Sequence, residues 1–200
     1  MYSQSRLDAE PRGRTSRTAK PIRDGYKSLM KICILSDSHD HRGALISAMT
    51  DAKQKGAEAV LHAGDVVAPS TLGSVRTLGL PIHVIHGNNT GDLVMMCKMA
   101  SRPNQPIRYY GMDAALELGG RRIFMVHYPH YARAMAVTGT YDIVCHGHDH
   151  RANIEHIKNI KGGTTVLADP GSVAGLDGPA TYILVDLETL NFQLQAVPGA

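Results

Sequence analysis

Two hundred residues, 43% of them hydrophobic and 20% charged, can bury roughly 70% of their unfolded surface in one domain. This composition excludes a disordered or fibrous chain, and the longest uninterrupted apolar run, Leu93 to Cys97, is far short of the about 20 residues a membrane-spanning helix needs. The net charge of +3 is uneven: residues 1–28 hold seven basic and three acidic side chains, the other 172 hold fourteen and fifteen, and that near-neutral body is a poor nucleic-acid surface.

Residues 1–28 contain Pro11, Gly13 and Pro21 and show no helical apolar period. They are expected to form a disordered basic tail before a single domain over 29–200. No apolar segment of secretory type opens the chain, so no leader is expected. Cys33, Cys97 and Cys145 lie in apolar runs without CxxC spacing, and are expected to be buried, reduced thiols of a cytoplasmic protein.

From Lys31 the chain alternates short apolar runs with helix-like segments. "KICILSDSHDH" predicts a strand ending at Asp37 and His39, followed by a helix over Gly43–Lys55 with Leu45, Ala48, Met49 and Ala52 on one face. "AEAVLHAGDVV" predicts a strand ending at Gly64 and Asp65, then a short helix over Ser70–Leu78. "PIHVIHGNN" predicts a strand ending at Gly87, Asn88 and Asn89, then a Met-rich helix over Asp92–Ala100 expected to pack in the core. "RRIFMVHYPH" ends at His127, "YDIVCHGHDH" at His148 and His150, and "TTVLADPGSV" at Asp169 to Ser172. Gly162 and Gly163 predict a two-residue hairpin turn before "TTVLA", and "ATYILVDLETLNFQLQAV" predicts two antiparallel strands joined near Glu188–Asn191.

Six strands thus finish in Asp, His, Asn or Gly, the pattern of a sheet edge that carries a site. Asp37, His39, Asp65, Asn88, His127, His148 and His150 bring carboxylates, imidazoles and an amide oxygen without thiolates. Such donors suit manganese, iron, zinc, cobalt or nickel. Seven exceed the needs of one ion and suit two that share a carboxylate. The Asp-x-His and His-x-His spacings put paired side chains on one side of a strand end. Gly64, Gly87 and Gly147 each precede a proposed ligand, where the absence of Cβ clears space. A metal pair about 3.5 to 4 Å apart acidifies a shared water and neutralises phosphoryl oxygens, a device for displacement at phosphorus.

"DSH", "GDVV", "GNN", the histidine of "VHYPH" and "GHDH" resemble, in order and type, the calcineurin-like metallophosphoesterases, most of all their small cap-less bacterial and archaeal phosphodiesterases. The resemblance runs from Lys31 to about Leu194 and includes "DPGS", similar to that branch's Asn-Pro-Gly-Ser. It implies an α/β (α+β), four-layer αββα sandwich of two mixed sheets flanked by helices, where alternation alone leaves a doubly wound single sheet open. It also implies that Asp37, His39, Asp65 and His150 hold one ion and Asp65, Asn88, His127 and His148 the other, Asp65 bridging. The implied activity is hydrolysis of a small phosphodiester or phosphomonoester by a metal-bridging hydroxide. The implied cofactors are two divalent cations, manganese first, with nickel, iron, zinc, cobalt and magnesium as alternatives.

Asn89 stands where larger relatives carry a proton-donating histidine, and Thr90 where an acidic residue is usual. The candidate catalytic residues are Asn88, doubling as a ligand, and His41, to contact phosphate or donate a proton, with His130 a weaker candidate. His146 is expected to pack or to support ligands, and His62, His83, His86 and His156 to be ordinary strand residues. A protein-binding scaffold on the same fold, as in the phosphoesterase-like subunit of retromer, is the alternative, but such relatives lose ligands that are all present here. A nuclease for long DNA is disfavoured by the charge of the body, no membrane partner is expected, and a homo-oligomer stays open. A chain shortened to begin at Ser28 is expected to fold and turn over substrate as the full chain does; loss of solubility or activity would place the tail inside the domain.

Overall fold

The computed structural model describes residues 30–200, so the tail expected over 1–28 lies outside the described residues. Strands β1 (Lys31–Leu35), β2 (Ala57–His62), β3 (Ile82–Val84) and β4 (Ile107–Tyr109) run parallel. β10 (Thr181–Asp186) pairs antiparallel with β1, and β11 (Asn191–Ala196) antiparallel with β10, giving the order β11-β10-β1-β2-β3-β4. The second sheet, β5-β6-β7-β9-β8, comprises β5 (Asp113–Leu118), β6 (Arg121–Val126), β7 (Ile143–Cys145), β8 (Asn153–Lys158) and β9 (Thr164–Asp169), with β6, β7 and β9 parallel. Both sheets are mixed.

Alternation along each strand builds the layers. Ile32, Ile34, Ala59, Leu61, Ile183 and Val185 of the first sheet face Ala114, Leu118, Ile123, Met125, Ile143 and Cys145 of the second in one core. The intervening residues Cys33, Leu35, Val60, Tyr182 and Leu184 point the other way, toward the helices. Helix α1 (Arg42–Gln54) meets them with Leu45, Ala48, Met49 and Ala52, the predicted face. Helices α2 (Pro69–Val75), continued by a 3₁₀ turn to Leu78, and α3 (Leu93–Ala100) complete that layer. On the far side α4 (Pro129–Val137) packs Ala132 and Ala136 on Phe124, Val126, Val144 and Leu167. Four α-helices among the described residues therefore flank two sheets, the layered sandwich the resemblance implies.

Several local expectations change. The strands β4 and β5 and the helix α4 were not anticipated. β4 is three residues behind Pro106, and α4 opens on Tyr128 with no side-chain cap. β5, with Ala114, Leu116 and Leu118 at period two, carried a legible signal. The Gly162-Gly163 turn is longer than two residues: Lys158 pairs with Thr164, and Asn159 Oδ1 accepts the N–H groups of Lys161 and Gly163 to close the loop. In α3 only Met96 and Met99 are fully buried, while Val94, Met95 and Cys97 are exposed, so neither the stretch nor that thiol is wholly core. Cys33 and Cys145 are buried; Cys145 sits between the sheets, its thiol pushed up to about 12 by burial.

Ile183 is fully buried between the sheets, so Ile183→Ala is expected to cost about 2–5 kcal/mol in urea unfolding. Leu194→Ala on exposed β11 should stay within about 0.5 kcal/mol.

Candidate metal centre

The parallel strands of both sheets release their chains on the same edge, and the loops after β1, β2, β3, β6 and β7 carry the predicted donors. Asp37 is fully buried. Its Oδ2 accepts the His148 N–H at 3.1 Å, while its Oδ1 has no hydrogen-bond partner among the described residues and lies 3.7 and 3.4 Å from Nε2 of His39 and His150. Those two nitrogens are 3.3 Å apart. Asp65, also buried, reaches both ways: Oδ2 is 3.7 Å from His39 Nε2 and Oδ1 is 3.5 Å from His127 Nε2. Asn88 Oδ1 lies 3.0 Å from His127 Nε2 and 2.9 Å from His148 Nδ1. All seven predicted donors are thus brought together. Asp37, His39 and His150 form one cluster and Asp37, Asp65 and His127 another, each able to hold a metal ion.

Hydrogen bonds on the outer side of the rings set what faces inward. His127 Nδ1 donates to the Ala63 carbonyl at 2.9 Å, and His150 Nδ1 donates to Asp177 Oδ2 at 2.9 Å. In a neutral ring each Nε2 is then a lone pair. The inward nitrogens of His127 and His150 thus offer lone pairs beside Asp65 and Asp37, and one buried Asp37 oxygen has no hydrogen-bond partner among the described residues. A cation satisfies that arrangement, and the donor set, without sulfur, fits divalent ions.

The backbone is bent to deliver these groups. Asp37, His39, Asp65, His148 and His150 all have positive φ, five of the ten such non-glycine residues among those described, and Asp40, Val67 and Asp177 lie beside them. Strain of that kind persists only where surrounding structure enforces it, and it clusters at working sites. Loop-to-loop bonds do the enforcing: Asp37 N–H donates to the Gly64 carbonyl at 3.0 Å, His39 N–H to Asp65 at 2.9 Å, and Ser172 Oγ to the Asp37 carbonyl at 3.0 Å. The glycines leave the room. A Cβ on Gly87 would fall on Asp65 Oδ1 and 2.6 Å from His127 Nε2, and one on Gly147 would fall on Ser36 Oγ and Asp37 Oδ2.

Three supporting groups escaped the sequence reading. Asn89 donates its backbone N–H to Asp65 Oδ1 at 2.9 Å and its amide to Oδ2 at 2.6 Å, fixing that carboxylate's plane. The Ala63 carbonyl and Asp177 orient His127 and His150, as outer partners of metal-binding histidines do. Asn89 stands out in the sequence only as the replacement for a proton-donating histidine, and its grip on Asp65 comes from the fold. Asp177 sits 27 residues beyond His150 in a turn without a recognisable signal.

The other histidines separate by environment. His62 is fully buried, its pKa pushed down to about 3 by burial, and its Nε2 meets Ser38 Oγ at 3.0 Å. His83 and His86 bond the hydroxyls of Tyr110 and Tyr109. His146 is buried with Nδ1 on the Gly147 carbonyl and 3.4 Å from Asp169, whose own carboxyl burial pushes up to about 7. His41 is exposed and caps α1, its Nδ1 accepting the Ala44 N–H at 3.1 Å.

A family model described as the calcineurin-like phosphoesterase superfamily domain matches residues 30–190. Phosphodiesterase MJ0936 of Methanocaldococcus jannaschii is 27% identical over 167 residues, covering 82% of this chain and 97% of that one. A solved structure described as a novel archaeal phosphodiesterase superposes with a TM-score of 0.72 at 26% identity, over 84% of this chain and 99% of its own. Vacuolar protein sorting 29 of Cryptosporidium parvum, at 12% identity, TM-score 0.57 and coverage of 84% and 96%, shares the fold.

Gly87→Ala is expected to fold but to lose most of its divalent metal in elemental analysis after manganese reconstitution, because the new methyl displaces Asp65 and His127. Gly73→Ala, with nothing within 4 Å of the added carbon, should bind metal as the parent does.

Proposed function

Because the chain belongs to the calcineurin-like phosphoesterase superfamily, a family of metal-dependent phosphoric ester hydrolases, we propose that it hydrolyses a small phosphodiester at a dinuclear metal centre. The observation that carries this reading is the convergence of seven nitrogen- and oxygen-bearing side chains, two of them buried carboxylates and one of these with an oxygen that has no hydrogen-bond partner among the described residues. Asp37, His39, Asp65 and His150 would hold one ion and Asp65, Asn88, His127 and His148 the other. Manganese is the first choice, with nickel, iron, zinc, cobalt and magnesium as alternatives. When bound, such ions supply a nucleophilic water near neutral pH and offset charge on the phosphoryl oxygens.

The chain's own residues hold this arrangement in place. Asn89 holds both Asp65 oxygens, leaving on each a lone pair for metal. Asp177 and the Ala63 carbonyl keep the Nδ1 protons of His150 and His127 turned outward. His41, two residues beyond His39, accepts a backbone N–H at Nδ1, so its neutral ring carries the proton on Nε2. That favours a hydrogen bond to phosphate over proton donation, since an imidazolium could not keep the cap. A diester with a good leaving group suits a site without a dedicated acid. The set of donors favours hydrolase over scaffold, whose sorting relative shares the fold alone at 12% identity.

Reconstitution with manganese is expected to give two ions per chain by elemental analysis, with chelation abolishing turnover reversibly. Only trace metal would remove this reading. Asp65→Asn should lose both metal and turnover on every substrate, whereas full metal and normal rates would overturn the ligand assignment. His41→Asn keeps a capping side chain and removes the ring donor. Its loss should be equal across a leaving-group series, and a larger loss on alkyl than on aryl diesters would assign it the acid role.

A further inference from the structure

Helix α4 separates two cavities of opposite character beside the metal centre. One, of about 960 Å³, is lined by Arg133, Arg151, Asp149, Asp169 and Asp177 and is polar. The other, of about 380 Å³, is walled by Met112, Phe124, Val126, Tyr128, Tyr131 and Met135. Its volume lies within the range of about 300–1,000 Å³ usual for small-molecule sites. His127 belongs both to the wall of this second cavity and to a donor cluster, and Gly87, next to Asn88, lines the cavity beside it, so the two are continuous.

Tyr128 forms the join. Its ring centre is 5.4 Å from that of His127 and 5.1 Å from that of His148, edge-on to both, and 6.2 Å from that of Tyr131. His130 extends the array, 4.2 Å from Tyr131. Aromatic faces continue from two proposed metal ligands into an apolar hollow, where Tyr131 and Met112 remain 56% and 66% exposed. α4 packs over β6, β7 and β9 and leaves β5 at the sheet edge, which opens the hollow to solvent.

We propose that this hollow is a specificity subsite for a planar aromatic group, an aryl ring or a nucleobase, carried by the phosphoester whose phosphorus sits at the metal centre. This rests on the hydrolase reading above and adds the substrate class. Tyrosine and methionine present π-faces and polarizable sulfur, which suit a flat ring. The Asp113 carboxylate at the rim disfavours a second anionic group there. An alkyl or sugar substituent alone would leave those faces unfilled.

The test uses phosphonates, which carry no hydrolysable ester, titrated calorimetrically into the manganese-loaded full chain. Phenylphosphonate is compared with methylphosphonate, and the 5′-phosphonate analogue of adenosine with that of ribose. A ring stacked on an aromatic side chain adds roughly 5- to 150-fold in affinity, and a preference of that size is expected for one or both ring-bearing compounds. Whichever is preferred identifies aryl or nucleoside esters as the source. Tyr131→Ala should cut the preference to below about 3-fold. Equal binding of ring-bearing and ring-free compounds overturns the subsite while leaving metal binding and diester hydrolysis to stand on their own assays. Ring preference in a metal-loaded protein that hydrolyses no diester supports the subsite and removes the reading it rests on. If Tyr131→Ala changes only the sedimentation of the protein and not its ligand preference, the hollow is a contact between copies and the subsite is overturned.

Discussion

A carboxylate sealed from water with one oxygen unpartnered is the constraint around which this molecule is arranged. Burying a polar oxygen without a hydrogen bond is costly, and the chain does so at Asp37 Oδ1. Loops from both sheets bond to this residue. Gly64 after β2 accepts its N–H, His148 after β7 donates to its side chain, and Ser172 and Ala174 beyond β9 donate to its carbonyl. Three chain segments from two sheets are thereby bound to one residue that keeps an oxygen open toward the facing histidines.

The sandwich exists to hold those segments in register. Ile32, Ile34, Leu61, Ile143 and Ile183 lock the sheets face to face, and the loops that leave them have no freedom to relax their positive φ. Small residues are then obligatory at the crossings: at Gly87 and Gly147 a single methyl would occupy the space of an Asp65 or Asp37 carboxylate oxygen. Rigidity and site geometry are therefore one property, not two.

The flanking layers are unequal, and that inequality shapes access. Among the described residues three α-helices cover the first sheet, while α4 alone lies on the second. A polar hollow and an apolar one are left on either side of α4, both beside the donors. Among the described residues no cap covers the donors, so the surface beside them is formed by these two hollows.

Donor identity was legible in the sequence because it is local. Asp37, His39, Asp65, Asn88, His127, His148 and His150 each follow an apolar run and need only a strand end to be noticed, and the α1 face follows from helical period alone. Other features depended on distant chain. Asp177 finds His150 across 27 residues, Asn89 turns out to grip Asp65, and His41 becomes a helix cap. Two sheets rather than one, the exposure of Cys97, and the hollow beneath Tyr131 likewise come from packing. Sequence by itself determined which atoms could bind a metal, because that is a matter of side-chain chemistry. Tertiary structure alone decided which of their lone pairs face one another, because the opposing hydrogen bonds come from residues far along the chain.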